Sequence, residues 1–441
     1  MPPSPSAGSL RSLPLRHILH LTCAAALLLA AGCLSPVHRA VDSSTLTGKV
    51  MCGYQGWFNA EGDGAGRGYT HWTRNATRPN PDTIRVDLWP DVSELGADER
   101  FPVDLLHADG KRAEVFSSFH RATVVRHFQW MEEHGIDGVF VQRFIQSVTR
   151  PASLAHNNTV LAHCREGARR HGRTYALMYD LSGLPAGGAD TLIADWQTLL
   201  RDTQLTRDPS YLKHRGKPLL ALWGCGFNDD KTRPSLEDWR KIITFLRTDP
   251  AAGGVAIMLG VPSFWREQRR DALADPLLPE LLAQVDVISP WTPGRYRSPA
   301  EAARHASEVW QPDLAWCRAR GIDFLPVAFP GFSWHNMHPE APLDAIPRLQ
   351  GRFLWSQVTA AKRAGATMLY VAMFDEVDEG TAIFKCTNEP PTGNGAKFLT
   401  LEGLPSDHYL RLTGLAAKVI RGELPPTDAL PAPLPSVAAA R

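Results

Sequence analysis

Short apolar runs alternate with amphipathic stretches along the whole chain. Such alternation is the pattern of β-strands each followed by a helix in a parallel sheet. The runs that read as strands are 50–58, 136–143, 174–179 (ending in Asp180), 218–223, 254–260, 285–289, 324–329 and 367–374. Between them the period lengthens to that of a helix. Val124, Phe128 and Met131 fall on one face of 123–134, and Gly135 stops that helix. Further helices are expected over 154–170, around 192–200, over 235–247, over 264–282 with a break at Pro276, from 298 to 320 with an interruption at Pro312, over 348–363, and over 407–421. Two starts are well marked. Ser235 stands three residues before Asp238, and Ser298-Pro299-Ala300-Glu301 combines an N-cap, a proline at the first helical position and a capping glutamate. Residues 87–91 and 101–109 read as loop excursions with a short hairpin.

Eight strands with eight helical stretches fit either a doubly wound sheet or a closed (β/α)8 barrel. The expected fold is one α/β (β/α)8 TIM barrel with long loops after the strands. Polar or aromatic residues recur just past the strand ends: Trp57, Arg143, Asp180, Trp223, Trp291, Trp334 and Glu376. Only closure gathers such distant strand ends around one hollow.

Two segments read as lying outside that domain. Arg11 and Arg16 precede a short apolar run that ends at Leu29-Ala30-Ala31-Gly32-Cys33. A basic start, a short apolar core and small residues before a cysteine make residues 1–33 resemble a bacterial lipoprotein signal, with Cys33 as the lipidated residue. Residues 34–45 then form a tether, 46–424 the barrel, and 425–441 a Pro- and Ala-rich tail read as disordered. The expected location is the bacterial cell envelope, the protein being exported and held to a membrane by its N-terminal lipid. Lys plus Arg number 47 against 46 Asp plus Glu, so there is no electrostatic case for a nucleic-acid partner. Cys52, Cys164, Cys225, Cys317 and Cys386 show no CxxC spacing and read as small core residues. No GxGxxG follows the first strand, which removes support for a dinucleotide; no cofactor is expected.

The candidate chemistry lies in Phe374-Asp375-Glu376-Val377-Asp378-Glu379-Gly380-Thr381. Four carboxyls within five positions repel one another unless protons, a cation or a ligand relieve them. The run lacks the DxDxDG spacing of a calcium loop, and no metal is expected. Glycosidic cleavage needs one carboxyl to protonate the leaving oxygen and a second to act as base or nucleophile. Glu376 and Glu379 are the natural pair. In one helical turn their Cβ atoms would stand about 5–6 Å apart.

This run resembles the Asn-Glu-Trp-His-Glu-Gly-Thr motif of glycoside hydrolase family 99, the endo-α-mannosidases and endo-α-mannanases. Tyr54 to Trp57, His71-Trp72, Phe116 to Phe119, Pro330-Gly331-Phe332 and Tyr409 to Thr413 resemble further islands of that family in the same order, over about residues 48–421. The resemblance implies a (β/α)8 barrel, retention of configuration and no metal. It also implies that one Glu, Glu376 by position, takes the proton of the sugar 2-hydroxyl. That oxygen then displaces the aglycone and leaves a 1,2-anhydro sugar for water to open, with Glu379 serving the leaving oxygen. Several positions depart from the motif: Asp375 for Asn, Val377 for Trp, Asp378 for His, Asp180 for a Glu, and Leu222-Trp223-Gly224 for Tyr-Asp-Ser. The chain reads as a divergent branch between families 71 and 99.

Tyr54, Trp57, His71, Trp72, Arg143, Asp180, Trp223, Trp291, Asp375 and Asp378 are the expected substrate contacts. Arg143 has a structural reading as well, an ion pair with Asp180. The expected partner is an oligo- or polysaccharide. Two functions follow: a lipid-anchored glycosidase cutting an α-linked glycan, or a non-catalytic carbohydrate-binding lipoprotein on the same barrel.

Overall fold

In the computed structural model the described residues are 1, 3–4, 40–392 and 395–431. The region around Cys33 therefore lies outside them, as do residues 432–441. Ten strands make the main sheet. Seven are unbroken staves: β1 (Val50–Tyr54), β2 (Gly138–Phe144), β3 (Thr174–Asp180), β4 (Lys217–Trp223), β5 (Ala256–Pro262), β6 (Val287–Trp291) and β8 (Leu369–Val371). The stave between β6 and β8, here β7, comes in two halves, Asp323–Phe324 and Val327–Ala328. The tenth is the two-residue Lys213–His214, antiparallel to β4.

The halves of β7 close the ring. Asp323–Phe324 pairs with Val287–Ile288, and Val327–Ala328 pairs with Tyr370–Val371, both parallel. β8 in turn pairs with β1, joining the last stave to the first. A helix follows each stave: α1 (Arg121–His134), α2 (Pro151–Arg170), α3 (Ala189–Thr203), α4 (Leu236–Thr248), α5 (Leu277–Leu282), α6 (Pro299–His305, continued through a π turn into Gln311–Arg318), α7 (Arg352–Ala364) and α8 (His408–Arg421). The fold is an α/β (β/α)8 barrel.

The Ser235 start forms as expected, and at Ser298 the N-cap forms while the Glu301 carboxyl accepts from the Arg297 N–H instead of that of Ser298. Ser235 accepts from the Asp238 backbone N–H and donates its own to the Asp238 carboxyl, and Ser298 accepts from the Glu301 N–H. Other boundaries differ. Of the expected helix 264–282 only Leu277–Leu282 is helical; the Asp271 carboxyl instead ties up the backbone N–H groups of Ser263 and Phe264 in a loop. β1 stops at Tyr54 and β8 at Val371 rather than at 58 and 374. Past Val371 the ladder is irregular: Ala372 N–H still donates to Ala328 O and Phe374 N–H to Gly53 O, while Met373 N–H turns to Thr381 O. The hairpin is real, Phe101–Leu106 against Arg112–Val115. The start of the C-terminal tail is packed rather than free: Thr427 O accepts from the Trp355 indole N–H, and Pro426 O from Arg363. No described helix is long and apolar enough to cross a membrane.

Trp72, Trp89, Trp130, Trp196, Trp239, Trp265, Trp310 and Trp355 are fully buried, so eight of the thirteen tryptophans serve packing. Trp57, Trp223 and Trp291 are only half-buried, and all three stand at the same end of the barrel.

Candidate active site

A cavity of about 280 Å³ opens at the C-terminal ends of the staves. Its wall takes Trp57 from beyond β1, Gln142 and Phe144 from β2, Met178 and Asp180 from β3, Trp223 from β4, Trp291 from β6, and Glu376 and Glu379 from beyond β8. Side chains along a strand alternate between faces, so Gln142 and Phe144 facing inward force Arg143 outward. Phe144 stacks on Trp57 at 5.1 Å between ring centres, and Trp223 meets Trp291 edge-on at 5.6 Å. Aromatic faces opposite carboxyls are what a sugar presents itself to, apolar C–H faces to rings and hydroxyls to acids. A larger hollow of about 960 Å³ near the hairpin, lined by Trp89, His107 and Phe398, holds no pair of buried carboxyls.

The loop after β8 is tightly fixed. Thr381 and Ala382 donate their N–H groups to Glu376 O, and Ser333 N–H donates to Glu379 O. Arg348 donates to Gly380 O at 2.8 Å and to Ala382 O at 2.7 Å. Gly380 sits at φ +61°, and a Cβ there would come within 3.0 Å of the Ser333 backbone, so only glycine fits.

The two glutamates share one low-dielectric site. Glu376 is 5% exposed. Its Oε1 accepts from Gln55 Nε2 at 2.5 Å and its Oε2 from Thr381 Oγ1 at 2.6 Å. Burial holds its proton affinity well above the ordinary glutamate range; the nearby charges of Glu379 and Asp378 act in the same direction. Glu379 is half-buried, and its carboxyl has no hydrogen-bond partner among the described residues. Burial, then the Asp378 charge, pushes its pKa up to about 7, against the pull of Lys231 and Arg85. Two carboxyls lining one cavity, each raised by burial and by neighbouring acids, cannot both ionise cheaply, so the pair holds a proton near neutrality. Such a pair can donate and accept protons at the oxygen of a bound substrate.

The other expected contacts sort into three groups. Trp57, Asp180, Trp223 and Trp291 line the cavity with the glutamates. Asp180 is raised in proton affinity mainly by burial, and its Oδ1 accepts from the Ser182 N–H. His71 and Asp378 stand one layer back: His71 stacks flat on Trp57 at 4.0 Å and its Nδ1 lies 3.3 Å from Asp378 Oδ2. The remaining four face elsewhere. Arg143 is buried against α3, with Nε and Nη2 each donating to Asp195 at 2.6 Å; its partner is Asp195 and not Asp180. Tyr54 is buried with its hydroxyl 2.9 Å from His127 Nδ1. Trp72 is core, donating its indole N–H to Phe116 O at 3.2 Å. Asp375 accepts from the Gln55 and Gly56 N–H groups at 2.8 and 2.9 Å, which staples β1 to the acidic loop.

Gln55, Gln142, Phe144, Met178, Ser182, Lys231, Tyr370 and Met373 line the cavity without having stood out in the sequence. Strand alternation around Asp180 points to Met178, and around Phe144 to Gln142. Lys231 comes from a loop with no periodic signal. Among the described residues no three His, Cys, Asp or Glu side chains converge as metal ligands.

No known protein-family model matches the sequence, and no curated protein matches it. Solved structures do match. The GH99 endo-α-mannosidase from Bacteroides thetaiotaomicron superposes with a TM-score of 0.62 at 15% identity, over 86% of this chain and 99% of its own. The same enzyme with bis-tris propane gives 0.61 over the same shares. A structure described as a glycoside hydrolase-like protein gives 0.53 at 12% identity, over 87% of this chain and 97% of its own. The fold is that of glycoside hydrolases.

Proposed function

We propose that the chain is a retaining glycoside hydrolase that cuts an α-linked, mannoside-like glycan, with Glu376 and Glu379 as its working pair. The observation that carries this is two carboxyls of raised proton affinity, one buried and one half-buried, facing one aromatic-walled cavity at the C-terminal mouth of a barrel. In the scheme that the family resemblance implies, Glu376 removes the proton of the sugar 2-hydroxyl. The 2-oxygen attacks C1 while Glu379 gives its proton to the departing oxygen. Water then opens the 1,2-anhydro ring, Glu379 taking its proton and Glu376 returning one to the 2-oxygen. Two inversions at C1 leave the configuration retained. The half-open position of Glu379 suits exchange with the leaving group, and the enclosed Glu376 suits internal proton traffic. Export and lipid attachment at Cys33 belong to the same reading.

The test is a panel of α-mannans, α-glucans and xylans given to the purified protein, with products sized and the first anomer read by proton NMR. Cleavage with retention is expected, and Glu379→Gln is expected to lower kcat by about 10²–10⁴-fold while sugar binding persists. A wild type that binds glycans but never cuts one sinks the hydrolase and leaves a carbohydrate-binding protein. For the anchor, incorporation of a labelled palmitate analogue is expected in wild type and absent in Cys33→Ala.

A further inference from the structure

A second hollow, of about 360 Å³, is walled by the loops that leave the C-terminal ends of β5 and β6 and by the first turns of α6. It therefore belongs to the same end of the barrel as the cavity that holds the two glutamates. Short links join the two. Trp291, in the wall of the first cavity, accepts from Ser263 Oγ at 2.6 Å through its backbone oxygen, one residue before Phe264 in the wall of the second. Four residues on from Trp291 stands Arg295, also in the second wall. Four residues of chain span at most about 14 Å, and the Arg295 N–H turns back onto Thr292 O, which shortens the reach.

Five guanidinium groups face this hollow. Arg269 is paired with Glu267, and Arg295 with Asp271 at 2.6 Å. Arg270, Arg297 and Arg304 form no ion pair among the described residues. The acids in the wall do not cancel them. Glu301 accepts from the Arg297 backbone N–H at 2.6 Å rather than from its guanidinium, and Glu308, one turn after Arg304, is not paired with it. Arg269 and Arg270 both lie over the Phe264 ring, at 4.4 and 4.5 Å from its centre, which holds two like charges side by side. Cations crowded around one hollow repel each other until an anion enters. Guanidinium forks fit the paired oxygens of a carboxylate, sulfate or phosphate.

The rest of the wall is aromatic. Phe264, Tyr296 and His305 are buried, the Tyr296 and His305 rings 5.1 Å apart. His305 is 8% exposed, and its Nε2 is buried without a partner. Burial lowers its pKa to about 4, so the ring is neutral at neutral pH and adds no charge. An unpaired nitrogen there costs stability that a hydroxyl or acid oxygen would offset. Rings beside guanidinium groups suit a sugar bearing an acid, its C–H face on the rings and its oxygens on the arginines. The volume lies within the range of small-molecule sites.

We propose that this arginine-walled hollow is a remote subsite for an acidic substituent of the glycan, a sulfate or phosphate ester or a uronate carboxylate, so that the substrate is an anionic polysaccharide. The assignment rests on the glycosidase reading of the neighbouring cavity.

The test is calorimetric binding to full-length Glu379→Gln protein, in which nothing is cut. The probes are neutral mannan, glucan and xylan oligosaccharides, their sulfated, phosphorylated and uronate-bearing counterparts, and inorganic sulfate and phosphate. An acidic series is expected to bind at least about tenfold more tightly than its neutral counterpart at low salt, the advantage shrinking at high salt. Arg270→Gln, Arg297→Gln and Arg304→Gln are each expected to reduce that advantage about threefold. The triple variant is expected to abolish it with neutral affinity unchanged; should the triple variant not fold, the three single variants decide. No preference for acidic glycans, or a preference that survives in these folded variants, would overturn the proposal. Inorganic sulfate or phosphate binding as tightly as the acidic glycans would overturn it too, leaving a simple ion site. Phosphatidylglycerol vesicles that capture wild type but not the triple variant, with no glycan preference, would assign the arginines to a lipid headgroup instead. Acidic glycans held through these arginines but never cut by wild type would retain the subsite and discard the hydrolase. Cleavage of neutral glycans with no acidic preference would do the reverse.

Discussion

At the scale of single residues, the site stores instability. A carboxyl whose folded pKa is raised binds more protons folded than unfolded between its two pKa values. Stability therefore falls as pH rises through that window. For Glu379 the window runs from the ordinary 4.5 to about 7, and the cost is fully present above it. Glu379→Gln is thus expected to raise Tm at pH 8 and to leave it nearly unchanged at pH 4, measured by calorimetry at both. No gain at pH 8 would mean that the carboxyl is better solvated than its surroundings indicate. The acid pair itself was legible because two glutamates and a Gly-Thr turn follow an apolar run. Two of the four misassigned residues share one physical cause. Tyr54 ends β1 and Arg143 stands one short of the end of β2, and the inward positions there belong to their neighbours, Gln55 for one and Gln142 with Phe144 for the other. A strand's two-residue period decides facing, and residue chemistry does not.

At the scale of elements, two buried arginines hold loops and helices in register. Arg348 is 3% exposed and carries the acidic loop on its bonds to Gly380 and Ala382. Each bond to a charged donor is worth about 1.5–3 kcal/mol, so Arg348→Met is expected to cost about 3 kcal/mol in denaturant unfolding. Arg143 ties β2 to α3 through Asp195, which also accepts from the Tyr179 hydroxyl at 2.5 Å. Asp195→Ala strands a buried guanidinium and is expected to cost about 3–5 kcal/mol. The double change Arg143→Met with Asp195→Leu should recover most of that. Strands and capped helices were readable because burial imposes their periods locally. Residues 264–276 were not. Their apolar positions mimic a helix, but Asp271, from the middle of the segment, claims the backbone N–H groups of Ser263 and Phe264.

At the scale of the whole molecule, ring closure makes each stave depend on two neighbours, including β7, which serves β6 with one half and β8 with the other. That closure was legible only as a count of eight and a recurrence of ligand-like residues at strand ends. Pairing across the seam between residues near 50 and 370 leaves no local trace. All five described cysteines are buried, one each in or beside β1, α2, β4, α6 and the loop beyond β8. Burial pushes the Cys317 and Cys386 thiols up to about 12. A thiol reagent is therefore expected to find none of the five in native protein at pH 8, and all five together across the denaturant transition. Stepwise appearance of thiols would show that arcs of the ring open separately.

The staple formed by Asp375 carries a lesson for anyone scanning the acidic loop by alanine. Its carboxylate holds the turn after residue 54 against the segment that delivers Glu376, at the very place where the first and last staves meet. If the proposed hydrolysis holds, replacing it is expected to abolish turnover as thoroughly as removing a proton donor, yet the fault would be one of carpentry. Binding and melting measurements made beside the rate are what would tell a missing hinge pin from a missing blade.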